Sequence, residues 1–378
     1  MRLAPVLMSA CLAGLIRATA AAGAAELGEV RDFNDWMVGC DNVRVCRAHG
    51  FPAGGASGGF GLRVDRDAEG PARPRLYVSL DLAWEAPTAG SVTFATEQGP
   101  IRTLPFGAAF RHGEDALKIA DPELVQAVLR ALRRNRELRV TFSPAPKGAD
   151  EPVPAISLSG ASAALLWMDE RQQRIGTVSS LAQPGNRSAG TLRAMRPPSA
   201  PAPRPLTRGD VPPSLSPAAR AAVMERFRSE LDRICDLDEE PGSSEDTGSA
   251  EEGLRVIHRL TGDTLLVGVR CWRGAYNLSR AYYLVTDGAT PVVRPASFPQ
   301  PLARQESETE VPDNILTNVE LDAKTGRITH FSKGRGIGDC GERGEWGWDG
   351  TAFRPVSLHR MPHCRGVIEA WFSLYQTR

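Results

Sequence analysis

Six of the seven cysteines of this 378-residue chain, at positions 40, 46, 235, 271, 340 and 364, follow residue 25. Whether they are free thiols or cross-links depends on the compartment, because disulfides persist where the surroundings are oxidising. The N-terminus sets that expectation. Arg2 precedes an apolar run broken only by Arg17, and the small-residue tract from Ala18 to Ala25 contains Ala22-Gly23-Ala24, which fits a signal-peptide cleavage site. Residues 1–25 are therefore predicted to be a signal peptide, and the mature chain to be periplasmic or secreted. The rival is a lipoprotein signal acylated at Cys11, for which Ser9-Ala10-Cys11 supplies half a lipobox; Met8 is a poor start to it, and the apolar character runs on past Cys11. No later stretch approaches the roughly 20 apolar residues that a spanning helix needs, so no membrane span is expected. Three disulfides are expected. Several pairings are formally open, and the favoured set is local in sequence: Cys40 with Cys46, Cys235 with Cys271, and Cys340 with Cys364.

The densest motif runs from Lys333 to Phe353, KGRGIGDCGERGEWGWDGTAF, with seven glycines, a cysteine and two tryptophans. Glycines at 334, 336, 338 and 341 permit positive φ or close backbone approach. Trp346 and Trp348 point to one face of an extended strand, and Asp349-Gly350 reads as a tight hairpin turn. The expectation is a glycine-rich loop pinned by Cys340 that feeds a β-hairpin with an aromatic face.

Elsewhere the pattern is mostly that of strands. Trp36 and Val38, then Val43 and Val45, flank Asp41-Asn42 as a short hairpin clamped by its own disulfide. Strand alternation returns at 75–80, 91–94 and 138–142. Asp121-Pro122 followed by Leu124, Val125, Val128, Leu129 and Leu132 has helical spacing, with Asp as N-cap and Pro at the first helical position. Residues 196–217, RPPSAPAPRPLTRGDVPPSLSP, carry too much proline for a helix or a ladder and are read as an extended linker. Ser216-Pro217 opens a second helix that leads to Cys235. The acidic run 236–253 reads as a solvated loop; a calcium site is the alternative, but its spacing does not match an EF-hand loop. A β-meander follows. The predicted fold class is mainly β with a few helices (α+β): a β-rich N-terminal domain at 26–195, the linker at 196–217, and a helix plus β-meander domain, sandwich-like, at 218–378, all with antiparallel sheets.

Four blocks resemble a family of exported bacterial proteins of unknown function. They are Asp35, Trp36, Cys40, Asp41, Asn42 and Cys46; Gly160 to Thr177; Cys271 with Gly274 to Asn277; and the glycine–tryptophan stretch. The first half is also similar to the invasion-associated locus B proteins. The resemblance implies export and disulfides, and it transfers no catalytic residue.

Lysine plus arginine equals aspartate plus glutamate at 45 each, so the charge balance gives no reason to expect a nucleic-acid partner. Gly160-Ala161-Ser162-Ala163-Ala164 imitates a nucleophile elbow, but Ala164 stands where that motif has glycine and the alternating β-α pattern of a hydrolase is missing; small residues that let a helix approach a sheet explain it better. Gly336-Ile337-Gly338-Asp339-Cys340-Gly341 spells a dinucleotide fingerprint with no helix after it. Lys333 and Arg335 beside these glycines form a candidate anion nest. His359, His363 and Cys364 imitate zinc ligands, yet Pro362 breaks the helix that would present them and Cys364 is wanted for a disulfide. No metal and no cofactor are expected. The candidate ligand contacts are Arg335, Asp339, Trp346, Trp348, Tyr276 and Asn277. The functional expectation is a non-enzymatic envelope protein that binds a protein, glycan or small ligand, with a lysozyme-inhibitor-like role as one version and a serine hydrolase using Ser162 as the competing class.

Overall fold

A computed structural model describes residues 27–378 other than 56–58, 71, 82, 113–115, 150–151, 191, 207–213, 232–233, 236–253, 300–310 and 369–370. The predicted signal peptide, the Cys11 alternative and the acidic run at 236–253 lie outside the described residues.

The N-terminal lobe contains strands β1 (Glu29–Phe33), β2 (Trp36–Cys40), β3 (Cys46–Gly50), β4 (Gly61–Arg66), β5 (Arg75–Ser79), β6 (Ser91–Thr96) and β7 (Gly99–Pro105), then the short helix α1 (Phe106–Ala109). It continues through β8 (Phe110–His112), β9 (Leu117–Ile119), helix α2 (Pro122–Arg134), β10 (Glu137–Ser143), β11 (Ile156–Ser157) and helix α3 (Ala161–Arg171). Seven strands form one sheet in the order β1-β2-β3-β4-β5-β9-β8, and four form a second in the order β11-β10-β6-β7. Asp121 caps α2 by accepting the Leu124 amide at 2.6 Å, and the helix buries Leu124, Val128, Leu129 and Leu132. That is the apolar stripe read from the sequence, and it packs into the core that both sheets share.

The C-terminal lobe begins with helix α4 (Pro217–Leu231), capped by the Ser216 hydroxyl, which accepts the Ala219 amide at 3.1 Å. Strands β12 (Arg255–Thr261), β13 (Thr264–Arg273), β14 (Leu278–Thr286) and β15 (Val292–Pro295) form a sheet that β16 (Ile315–Thr317) joins through β14. The last sheet runs in chain order: β17 (Glu320–Asp322), β18 (Arg327–Lys333), β19 (Gly341–Trp348), β20 (Phe353–Met361) and β21 (Phe372–Gln376). Every pairing of these strands is antiparallel, so the mainly β class with a few helices holds. The three disulfides are those local in sequence: Cys40–Cys46, Cys235–Cys271 and Cys340–Cys364. No described helix is long and apolar enough to cross a membrane.

The described residues 196–206 of the proline-rich segment lie along the C-terminal lobe. The Ala200 amide donates to the Arg378 carbonyl, the Arg204 amide to Thr325 and the Leu206 amide to Ala323, with Leu206 buried among the core side chains. Backbone hydrogen bonds of this kind order the segment against the lobe as a strap.

Two clasps hold the lobes together. The Asn42 side chain donates to the Gln376 carbonyl and accepts the Gln376 amide, while the Gln376 side chain donates to Asp41. The Arg47 guanidinium donates to the Trp371 carbonyl at 2.8 Å. Met37 and Phe51 from the first lobe share an apolar cluster with Met361, Trp371 and Phe372 from the second.

Candidate functional site

The six sequence-derived contacts divide into two groups. Trp346 and Trp348 are 0% and 1% exposed and sit in the C-terminal core with Phe298 and Phe353. They offer no face to a ligand, so the expected aromatic groove at these residues is replaced by packing. Gly344, Trp346 and Trp348 turn one way along β19, and Arg343 and Glu345 turn the other.

Arg335, Asp339, Tyr276 and Asn277 do come together, as the frame of the glycine loop. Arg335 grips the fully buried Asp339 carboxylate through two hydrogen bonds of 2.7 and 2.6 Å, and the Gly366 amide donates to the same carboxylate at 2.6 Å. Burial pushes the Asp339 carboxyl up, but the Arg335 fork and the Gly366 amide outweigh it and hold the group below the ordinary carboxylate range. Asn277 donates to the Lys333 carbonyl and accepts the Lys333 amide, and the Tyr276 hydroxyl donates to the Gly334 carbonyl. The turn after Cys271 is thus stapled to the loop before Cys340. Gly341, at φ 121°, lies where a Cβ would stand 2.0 Å from the Ser332 carbonyl, so glycine is required there. Because its arginine is consumed by Asp339, the nest is not an anion site centred on Arg335.

The other motifs also resolve into structure. Asp339, Cys340 and Cys364 cluster as a ligand set would, but both sulfurs are bonded to each other. His363 Nε2 donates to the Asp32 carboxylate on β1 at 2.9 Å. In the Gly160–Thr177 block, Gly160 has φ 94° and a Cβ there would meet the Phe33 carbonyl at 1.7 Å, so the small-residue entry lets α3 close on β1. Ser162 is exposed, and its hydroxyl points at the Leu132 carbonyl at 3.4 Å. Further on, Arg66 and Asp169, both fully buried, form an ion pair at 2.6 Å; Gln172, Ser179, Ser180 and the Ala182 amide satisfy the remaining atoms of the pair.

What the sequence did not single out is a cleft of about 870 Å³ between the lobes. One wall comes from β2, β3, β4 and β5 through Gly39, Arg47, Asp65 and Arg75; the other is the outer face of the last sheet. Register explains that face. Phe331 pairs with Arg343, Arg343 with His359 and His359 with Ser373, which gives one cross-strand row over four strands. Glu320, Thr329, Glu345 and Ser357 form the next row. The Arg343 guanidinium lies 4.4 Å from the Phe331 ring centre and 4.3 Å from that of Trp371, and the Lys333 ammonium lies 5.2 Å from Phe331. His359, half-buried between cations, is held below the ordinary histidine range by burial and by Arg343 and Arg47. The signal that would have found this row was the polar alternation at 343 and 345, which the tryptophans beside it overshadowed.

The chain is similar over 369 residues, at 25% identity, to the uncharacterized protein YpfG of Escherichia coli strain K12, covering 92% of this chain and 93% of that one. No solved structure matches it. A family model described as a protein of unknown function, DUF1176, matches residues 30–378, nearly all of the described chain, and the protein belongs to that family.

Proposed function

We propose that this is an exported, non-enzymatic envelope protein that holds a small ligand in the cleft between its lobes. The cleft itself is the observation that supports the reading. Its volume suits a small solute, both lobes wall it, and Arg343, close to the Phe331 and Trp371 rings, is among its lining side chains. Three disulfides suit an oxidising compartment, and two of them flank the cleft: Cys40–Cys46 closes the β2–β3 turn, and Cys340–Cys364 ties the glycine loop to the segment before β21. Ser162, the hydrolase candidate, is not among the residues that line the cleft.

The test is native mass spectrometry of the protein after exposure to a small-molecule envelope extract. The wild type is expected to retain a solute that a Ser357→Trp variant, with a large side chain filling the cleft, releases while melting normally. Equal retention by the blocked variant overturns the cleft as the site. Labelling of Ser162 by a fluorophosphonate, with turnover, overturns the non-enzymatic reading.

A further inference from the structure

We propose a second ligand site, on the N-terminal lobe and separate from the cleft: a pocket of about 280 Å³ that takes a small oxyanion, a carboxylate or a phosphate, against Trp167, Arg44 and Arg171. It lies where the turn between β2 and β3 meets the end of α3, and it shares no lining residue with the cleft. What marks it is a set of donors that the fold leaves unspent. The Trp167 indole is 6% exposed, yet its N–H has no acceptor among the described residues. A buried indole N–H usually finds one: those of Trp36 and Trp346 donate to the Ser157 and Pro299 carbonyls, and that of Trp348 to the Thr261 hydroxyl. Arg171, one helical turn beyond Trp167, holds its guanidinium 5.7 Å from the same ring, and Arg44 enters the wall from the β2–β3 turn. Both arginines are half-buried, and neither guanidinium has a hydrogen-bond or ion-pair partner among the described residues.

The frame holds these groups in place. Arg44 is kept at φ 64°; its amide donates to the Asp41 carbonyl at 3.0 Å, and its carbonyl accepts the Gln172 side chain at 2.8 Å. Gln172 in turn accepts from the buried Arg66 at 2.6 Å. Gln173, also in the wall, is kept at φ 58°. Left-handed backbone at a non-glycine residue persists where the surroundings impose it, so the Arg44 side chain starts from a fixed point and loses less freedom on binding. Most acids of the wall are already committed. Glu29 accepts from Arg31 at 2.5 Å, and Asp41 accepts the Val43 and Val45 amides at 2.9 Å together with the Gln376 side chain. Glu170 has no partner among the described residues, and it is exposed, where water and salt screen its charge. The unspent groups are therefore the Trp167 N–H, two guanidinium groups, the Gln173 amide and one exposed carboxylate, a set that an oxyanion completes and a cation does not.

Acetate and inorganic phosphate are the probes, with chloride at matched ionic strength as the control. Location is read from the Trp167 indole N–H resonance, assigned with Trp167→Phe, and affinity from the backbone amides of residues 44 and 171–173, both by NMR. Saturable shifts with acetate, phosphate or both are expected, and the tighter of the two tells a carboxylate source from a phosphate source. Arg44→Gln is expected to weaken binding about tenfold, the loss of one charge-assisted contact, and Arg171→Gln to do so severalfold. Trp167→Phe keeps a ring in the wall and removes the N–H; it should also weaken binding. Glu170→Gln acts in the opposite direction and should tighten it about threefold, since a screened like charge is removed. Because Arg44 and Glu170 have no partner to lose, these two variants keep the test alive if the other two fail to fold. Ser357→Trp, which blocks the cleft, is expected to leave these affinities unchanged, so the pocket and the cleft stand or fall separately. Shifts that follow chloride, that do not saturate, or that are equal in the wild type, Arg44→Gln and Glu170→Gln overturn the site, as does their loss in Ser357→Trp.

Discussion

Two arginine clusters in this molecule are built from the same chemistry and have opposite fates. Around Arg66 the guanidinium meets Asp169, Gln172 and the Ser179 carbonyl, and both Asp169 oxygens are shared with Ser180, the Ala182 amide and Arg66 itself. The pair is 0% exposed on both sides. Around Arg343 the guanidinium is held by rings, stands at a cleft, and shares its row with a histidine and a serine. The first cluster is closed upon itself, as a buried charge must be, because desolvation costs several kcal/mol per ion unless hydrogen bonds replace the lost water. The second lies at the wall of a cleft, half-buried, with the Gly338 carbonyl as an acceptor at 3.5 Å.

The sharpest way to break this contrast is to cut the closed cluster. Asp169→Ala leaves the Arg66 charge buried without its counter-ion and is expected to lower stability by about 3–5 kcal/mol in urea unfolding. A loss below about 1 kcal/mol would mean that the cluster is not closed in solution. Trp346→Ala should cost about 3–5 kcal/mol as well, since a large core side chain is removed; a tryptophan used only for ligand contact would cost far less. Asp339→Ala comes next, at about 1–3 kcal/mol, because it leaves the Gly366 amide and the half-exposed Arg335 without their shared acceptor. By contrast Lys333→Met, which keeps the aliphatic stem over Phe331 and breaks no ion pair, should change stability by no more than about 0.5 kcal/mol.

The fold was largely legible in the sequence and the cleft was not, for a physical reason. The hairpin at Trp36 to Cys46, with Val43 and Val45 in its turn and its second strand starting at Cys46, the Asp121 cap, the Ser216 start of α4 and the Asp349-Gly350 turn each carry a local signal within a few residues. The cleft is formed by strands far apart in the chain: Arg47 and Trp371 meet across 324 positions. A register that aligns Phe331, Arg343, His359 and Ser373 cannot be read from any one of those strands. The glycine–tryptophan stretch was prominent because tight turns and core aromatics are written in rare residues; its tryptophans pack inward, while its Lys333, Arg343 and Glu345 line the cleft. Asn277 shows the same division: it fixes Lys333 by the backbone and is itself half-buried behind it.

The smallest expected effect is the most specific one. His359 has its pKa lowered in the fold by burial and then by Arg343 and Arg47, so between that depressed value and the ordinary 6.5 of an unfolded histidine the unfolded chain binds more protons. Stability contributed by the neutral ring is therefore complete above about pH 6.5 and is lost as pH falls through the window toward the folded pKa. Asp41 runs the other way and lower: burial raises its carboxyl above 3.8, so its contribution is present below that value and declines as pH rises through the folded pKa. The two are separated by comparing the urea midpoint against pH for the wild type and His359→Gln. The difference curve should be flat above about pH 6.5 and slope below it, with the wild type losing stability relative to the variant as the pH falls. Repeating the comparison in an Arg343→Gln background should shallow that slope, since one of the two cations that resist the imidazolium is gone. An unchanged slope would place Arg343 too far from His359 to set the field of the cleft, and the contrast between the two clusters would lose its electrostatic half.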